Sequence, residues 1–376
     1  MGAENISAQE LNRLIVEGAP LFILDTRNES DFQDWKIEGG DIAYLNVPYF
    51  ELLDGVASIL DRLPEDRKLI VVCAKEGSSK LVAEHIHKEG RAVSYLQGGM
   101  KSWSEYLYPV LVHQDDELTV YQFIRVGKGC LSYLLISGKE ALVIDPSRFT
   151  EVYEQAAARE GVAITHIVDS HLHADHISGG HELAQKTGAH YYLMRSEGAT
   201  FHFDALEEHD HISFANVHLE VLAIKTPGHT PGSVSFLVNQ RFLFSGDTVF
   251  VSGLGRPDLG GKAREWALDL YHTVYEKLAG LADDIVVLPS HYADFETEKN
   301  EQGYIGTTLG HIRAMNEIMR EKTVHEFVDT VAQSASTQPP PNFEDIIAIN
   351  RGVRAASPEE VQELEIGPNR CAAHHT

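Results

Sequence analysis

Ser170-His171-Leu172-His173-Ala174-Asp175-His176 places four metal-binding side chains within six positions, directly after the apolar run Ile164–Val168. Such a segment is too polar to continue a buried strand, so a strand must end there and open into a loop at the edge of a sheet. Alternate residues of an extended loop point the same way. His171 and His173 can therefore converge on one ion, while Asp175 and His176 face a second position nearby. Further ligand candidates lie in turn settings: His229 in TPGHTPGS, Asp247 in FSGDTVF and His291 in LPSHY. The Gly and Pro around each fit tight turns that aim a side chain into a shared cleft. Eleven of the 20 histidines fall between His166 and His229, and histidine is the commonest metal ligand. A metal centre accounts for this crowding better than scattered surface histidines do.

The rest of the chain divides in two. Residues 6–17 read as an amphipathic helix capped by Ser7 and stopped by Gly18. LFILD (21–25), KLIVVC (68–73) and AVSYL (92–96) are apolar runs suited to buried strands, with helix-like SKLVAEHIHKEG and KSWSEYL following the last two. This alternation predicts a small α/β domain with a parallel sheet over residues 1–109. Ligands of such sheets sit at the carboxyl ends of the strands, where Cys73 lies. From residue 117 the runs LTVYQFIRV, CLSYLLISG and EALVID, separated by Gly-Lys turns, carry an antiparallel signature. A helix over 149–160, strands near 217–224, 233–238 and 241–245, a helix over 262–281 and the strand DIVVL complete the pattern. These features predict an αβ/βα sandwich over residues 110–376, with a helical C-terminal extension from about 304 broken by TQPPPN at 337–342.

The His-x-His-x-Asp-His motif with the later His, Asp and His is similar to the metallo-β-lactamase superfamily over roughly residues 115–300. The resemblance implies a four-layer sandwich with the metal centre at one edge, and it leaves two chemistries open. In a dinuclear zinc hydrolase of the glyoxalase II type, His171, His173 and His229 would hold one Zn(II). Asp175, His176 and His291 would hold the other, with Asp247 bridging, for attack of water on a thioester. In the persulfide dioxygenases of the superfamily a single Fe(II) sits on two histidines and one carboxylate, matched here by His171, His229 and Asp247. His173, Asp175, His176 and His291 would then orient those ligands. The segment Gly255-Arg256-Pro257-Asp258 looks like the one beside the thiol-binding pocket of persulfide dioxygenases. It implies that Arg256 pairs with a substrate carboxylate and that Asp258 holds Arg256 or a substrate amine. A structural ion pair within the loop is the plainer alternative.

Residues 5–108 resemble a rhodanese (sulfurtransferase) domain: Asp25 and Arg27 in LDTR look like its early Asp-x-Arg motif, and LQGGMKSW like its closing Gly-Gly and Trp-bearing helix. Cys73 sits where the rhodanese nucleophile sits, opening the loop Ala74-Lys75-Glu76-Gly77-Ser78-Ser79. Loop N–H groups and the positive end of the following helix can stabilise a thiolate and then a persulfide, with help from Lys75 or Lys80. The loop departs from the family pattern. Ala74 replaces the usual arginine, Gly77 comes one residue late, and Lys36 stands where a histidine is usual. These departures argue against thiosulfate as the preferred donor. Of the other two cysteines, Cys130 reads as core and Cys371 as part of a disordered end.

Composition narrows the partners. The balance of 31 basic and 56 acidic residues gives a formal charge of −25, which repels phosphate backbones and anionic membranes alike. No apolar run approaches the ~20 residues of a membrane span. The N-terminus MGAENISAQELNRL lacks a secretory pattern, so a cytoplasmic location is expected. Combined, the resemblances imply an Fe(II)-dependent persulfide dioxygenase that oxidises a small thiol persulfide with O2 to sulfite and thiol. Cys73 would move sulfane sulfur, either to supply the iron site or to join sulfite into thiosulfate. The alternatives are the dizinc thioester hydrolase with an accessory rhodanese domain, and a non-catalytic sulfur carrier or metal sensor. A homodimer is one assembly that the helical tail allows.

Overall fold

A computed structural model describes residues 2–208, 211–222, 226, 229–230, 232–257, 262–320, 323–334 and 342–369. The chain forms two compact units. The first gathers the N-terminal segment up to Tyr106 with Arg125–Lys128 and Ile366–Pro368, and the second is built chiefly from Leu107–Ile124 and Gly129–Glu365.

Five parallel strands make the sheet of the first unit: β1 (Glu4–Ile6), β2 (Leu21–Asp25), β3 (Ile42–Asn46), β4 (Lys68–Val72) and β5 (Ser94–Leu96), in the order β1-β5-β4-β2-β3. The two central apolar runs are buried on both faces, as their lack of alternation requires. Phe22, Leu24, Leu69 and Val71 pack with Val82 and Ile86 on one face. Leu21, Ile23, Ile70 and Val72 pack with Leu11 and Trp103 on the other. The first helix, Ala8–Val16, starts where Ser7 accepts a hydrogen bond from the Glu10 N–H. Strands β1 and β3 escape a pattern reading because β1 has three residues and edge strand β3 is mostly half-buried.

The second unit carries two sheets. The seven-stranded one runs, in chain order, β6 (Leu107–Gln114), β7 (Thr119–Arg125), β8 (Cys130–Ser137), β9 (Glu140–Ile144), β10 (Ala163–Val168), β11 (His190–Leu193) and β12 (Asp204–Ala205), each beside its predecessor. The six-stranded one orders β13 (His211–Phe214), β14 (Val217–Leu222), β15 (Ser235–Val238), β16 (Phe242–Gly246), β17 (Val286–Pro289) and β18 (Thr307–Thr308) in the same way. Helices Thr150–Glu160 and Gly180–Thr187 cover the first sheet through Tyr153, Ala157 and Leu183. Helices Ala263–His272, Leu309–Met315 and Val324–Ser334 cover the second through Leu270, Ile312 and Phe327. Between the sheets, the rings of Tyr133 and Phe244 meet at 4.9 Å. This is the αβ/βα sandwich expected from the sequence.

Two expectations are adjusted. The helix over 262–281 is regular only to His272 and continues as a π-helical turn, Thr273–Lys277. The tail begins with strand β18 before its helices, which include Phe343–Asn350 and Pro358–Leu364. Residues 337–341 of the Pro-rich break, and Cys371, lie outside the described residues. No helix among the described residues is long and apolar enough to cross a membrane.

The buried pair Asp25–Arg27 (2.6 Å) fastens the carboxyl end of β2. Arg27 Nη2 also donates to the Trp35 carbonyl at 2.5 Å, and Asn46 Nδ2 donates to both the Asp25 and Arg27 carbonyls at 3.0 Å. Removing one member of a buried pair leaves the other charge uncompensated. Asp25→Ala is therefore expected to destabilise the first unit by about 3–5 kcal/mol, measured as a lower denaturant midpoint followed by fluorescence of the buried Trp103.

Candidate functional site

Loops at the carboxyl ends of β10, β16 and β17 supply most of the predicted ligands. Gly246 and Pro289 are paired across the parallel strands β16 and β17, so Asp247 and His291 leave the sheet side by side. The His-rich loop follows β10 in the other sheet. The seven residues gather into three buried groups: His171 with His229 and Asp247; Asp175 with His176, His291 and Cys130; and His173 with Asp145 and Asp169. His171 and His173 thus face different partners, with His173 Nε2 lying 3.5 Å from Asp145 and 3.9 Å from Asp169.

In the first group each donor is oriented from behind. The Ser170 hydroxyl donates to Asp145 Oδ2 (2.8 Å), so the 2.9 Å contact between His171 Nδ1 and Ser170 Oγ is an imidazole N–H donating to the hydroxyl. His229 Nδ1–H donates to the Arg256 carbonyl at 3.0 Å. Asp247 Oδ1 accepts from His291 Nδ1 at 2.6 Å. The remaining atoms converge, with Asp247 Oδ2 3.2 Å from His229 Nε2 and 3.6 Å from His171 Nε2. Two donors held at right angles about 2.1 Å from one ion lie about 3 Å apart. His229 Nε2 and Asp247 Oδ2 are buried with no hydrogen-bond partner, as expected of ligand atoms aimed at a cation. Two imidazoles and one carboxylate on one side of an ion match the facial arrangement that leaves positions open. Burial alone would raise the Asp247 pKa, but His291, His171 and His229 together hold it well below the ordinary carboxylate range.

The second group satisfies itself. Asp175 Oδ2 lies 3.2 Å from Cys130 Sγ and 3.0 Å from His291 Nε2, and Asp175 Oδ1 lies 3.0 Å from His176 Nδ1. Burial works against a charged His176, yet the Asp175 carboxylate and the Cys130 sulfur push its pKa up to about 10. Cys130 is buried, as a core residue would be, but its sulfur faces the ligand loop. Nothing in its strand-like surroundings signals this.

Four other residues frame the ligand loops, and sequence reasoning missed all of them. Asp145, held at φ 51, accepts from the Ser170 N–H (2.6 Å) and hydroxyl and from the Ser290 hydroxyl (2.5 Å). It thereby ties together the residues preceding His171 and His291. Asn350 Nδ2 donates to the carbonyls of His173 and His176, both at 2.8 Å, while its Oδ1 accepts from Ser178 N at 3.0 Å. Glu365 accepts from Ile177 N (2.6 Å) and pairs with Arg148 (2.7 Å). Buried Glu197 accepts from the Thr230 hydroxyl (3.1 Å) and from the N–H groups of Leu172 and Gly232, and so links the His171 and His229 loops. Helix and loop residues this far along the chain carry no local motif that would reveal such roles.

Arg256 is 4% exposed, and its carbonyl orients His229. The neighbouring Gly255 passes so close that a Cβ there would lie 1.8 Å from the Asp247 carbonyl. Asp258 lies outside the described residues.

In the first unit Cys73 follows β4 and is 5% exposed. Its Sγ accepts from the Glu76 N–H at 3.1 Å and donates to Ser79 Oγ at 3.2 Å, which in turn donates to the Glu76 carbonyl at 2.9 Å. The loop opens the helix Gly77–Lys88. Lys80 lies over the Tyr95 ring, 5.9 Å from its centroid. A cavity of about 260 Å³ beside the loop is lined in part by Arg27, Trp35, Lys75, Met100 and Lys101.

The model of the metallo-beta-lactamase superfamily matches residues 125–291, and that of the rhodanese-like domain matches residues 7–106. The mitochondrial persulfide dioxygenase ETHE1 of Homo sapiens and of Bos taurus is 35% identical over 156 and 189 residues. These are 41% and 49% of this chain, and they span 59% and 68% of the length of those proteins. A hydroxyacylglutathione hydrolase of Methylobacillus flagellatus is 35% identical over 124 residues, 33% of this chain and 49% of that protein. Among solved structures, ETHE1 from Myxococcus xanthus has a TM-score of 0.54 and 26% identity, covering 62% of this chain and 97% of that one.

Removing a side chain that orients metal ligands typically weakens metal binding by about 10–100-fold. Asn350→Ala deletes three hydrogen bonds to the ligand loop, and Asn350→Asp sets a carboxylate against two carbonyl oxygens. Both are expected to lose bound metal to a chelator at least about tenfold more readily than the parent, with secondary structure by circular dichroism unchanged.

Proposed function

The chain belongs to the metallo-β-lactamase superfamily and carries a rhodanese-like domain at its N-terminus, and from that footing we propose that it is an Fe(II)-dependent persulfide dioxygenase coupled to sulfane-sulfur transfer. The observation that carries the reading is the contrast between the two neighbouring donor groups. His229 Nε2 and Asp247 Oδ2, both buried and without hydrogen-bond partners, converge with His171 Nε2 on one point, whereas Asp175, His176, His291 and Cys130 hydrogen-bond to one another. One ion on the first group would satisfy its unpartnered atoms, while His173 Nδ1 and Nε2 and Asp169 Oδ1 of the third group also have no hydrogen-bond partner. The persulfide dioxygenase name of the human and bovine relatives supports the same reading, while the hydroxyacylglutathione hydrolase is matched over a smaller share of the chain.

Fe(II) bound there would supply redox chemistry toward O2 and open positions for both reactants. The balanced conversion is R–S–SH + O2 + H2O → R–SH + sulfite + 2 H⁺. His171, His229 and Asp247 would hold the ion. Ser170 and the Arg256 carbonyl fix the two imidazoles with their Nε2 lone pairs inward. His291 holds a proton between Asp247 and Asp175, keeping Asp247 Oδ1 occupied and Oδ2 directed at the ion. The Arg256 guanidinium is assigned to a carboxylate of the thiol carrier, and Asp258 to Arg256 or a carrier amine.

At the other site, the Cys73 thiolate attacks the outer sulfur of a persulfide. The new Sγ–S bond forms as the donor S–S bond breaks, and the donor leaves as a thiol carrying the persulfide proton. The enzyme-bound sulfur then passes to a small thiol for oxidation, or to sulfite to give thiosulfate.

The test is oxygen uptake with a small thiol persulfide, on protein whose metal is quantified by elemental analysis. One iron per chain, rapid O2 uptake and sulfite release are expected. Two zincs without O2 uptake would replace this reading with thioester hydrolysis. His171→Ala is expected to abolish O2 uptake and leave sulfur transfer, and Cys73→Ser to do the reverse. If His171→Ala kept full O2 uptake, the iron assignment would fall.

A further inference from the structure

Glu76 stands at φ 102 and ψ −43, in the region that side chains other than glycine rarely occupy. Its neighbour Gly77 would tolerate that conformation, yet the chain places the glycine one residue later and the glutamate at the strained position. A backbone held there must be fixed by its surroundings. The fixing contact is the carboxylate itself, since Glu76 Oε2 accepts the Gly98 N–H at 2.8 Å. Gly98 is the residue before the helix Gly99–Glu105, so the negative charge also lies at the favourable end of that helix. Beside this contact, Met100 N donates to the Cys73 carbonyl at 2.8 Å and Lys101 N to the Ala74 carbonyl at 3.0 Å. Gly99 leaves no room for slack, because a Cβ there would lie 2.3 Å from the Cys73 carbonyl.

The strained peptide is the one that serves the sulfur. The Glu76 N–H points at Cys73 Sγ, and the Glu76 carbonyl receives the hydroxyl of Ser79, the other partner of Sγ. When the thiol loses its proton, that hydroxyl can turn from the carbonyl to donate to sulfur. Glu76 therefore touches the nucleophile only through its backbone, while its side chain is spent on holding that backbone in place.

We propose that Glu76 is a positioning residue for sulfur transfer: its carboxylate, anchored on Gly98, holds the strained Glu76 peptide so that its N–H stabilises the anionic sulfur of Cys73. The inference rests on Cys73 acting as the sulfur carrier. It adds that the glutamate does through Gly98 what a glycine at this position would leave undone. Glycine would relieve the strain but release the loop.

The experiment compares Glu76→Gln, Glu76→Ala and Glu76→Gly in the full chain, reading alkylation of Cys73 by iodoacetamide at fixed pH and sulfur transfer from a small persulfide to cyanide. Glutamine keeps an acceptor for the Gly98 N–H and is expected to stay within about threefold of the parent in both readouts. Alanine and glycine lose the anchor and are expected to fall at least tenfold in alkylation rate and in kcat, with KM little changed. The glycine variant separates anchoring from strain, since it folds without the unfavourable φ. Alkylation and transfer at parental rates in Glu76→Gly would overturn the proposal. If the parent transfers no sulfur and Cys73→Ser behaves identically, the sulfurtransferase reading falls, while the alkylation comparison still decides the role of Glu76.

Discussion

An ionised carboxylate oxygen and an imidazole lone pair, both buried without a hydrogen-bond partner and with a second imidazole nitrogen beside them, form the arrangement on which the loops of the larger unit converge. Asp247 Oδ2 and His229 Nε2 are in this position, and both are acceptors once His291 and Arg256 have taken the other side of each. Leaving such groups uncompensated costs several kcal/mol apiece in order-of-magnitude terms, and acceptors facing each other add repulsion. A cation at the point of convergence would turn this cost into binding energy. Metal binding and folding of the loops are thereby linked. The same logic explains why the neighbouring group closes on itself: Asp175 finds its counter-charges in His176 and His291.

Holding three such donors in register requires support from outside their own loops, because they arise from both sheets. Asp145 draws Ser170 and Ser290 to one carboxylate. Glu197 bridges Leu172 and Thr230. Asn350 and Glu365 reach the loop after β10 from the C-terminal extension. The extension is thus a structural part of the candidate metal centre, and the strain at Asp145 is compensated by the hydrogen bonds its carboxylate collects.

What the sequence disclosed follows from which interactions are local. Ser7 and Gly18 mark a helix because capping depends on a few adjacent residues. LFILD and KLIVVC mark central strands because burial on both faces removes alternation. The cluster from His171 to His176, with the turn settings of His229, Asp247 and His291, pointed to residues that the fold gathers into buried candidate metal groups. The partition of those residues was hidden, since nothing in their spacing tells that His173 turns toward Asp145 and Asp169. Asn350 and Glu197 were hidden more completely. Each acts on main-chain groups brought near only by the finished fold, and an asparagine or glutamate in a helical stretch looks like any solvated one.

The charge balance gives the two sites a common problem. At −25 the chain would repel the anionic persulfide of the proposed reaction at long range, although salt screens that repulsion beyond about 8 Å. Capture must then come from positive potential supplied at contact distance. In the proposed reaction the larger unit supplies it with an ion held by His171, His229 and Asp247 and with the buried guanidinium of Arg256. In the smaller unit oriented dipoles, the Glu76 N–H and the Ser79 hydroxyl, meet the sulfur itself, and Arg27, Lys75 and Lys101 line the cavity beside the loop. Under the proposed function the cysteine loop would exchange a sulfur atom between small thiols, and the metal centre would bind the thiol that carries it.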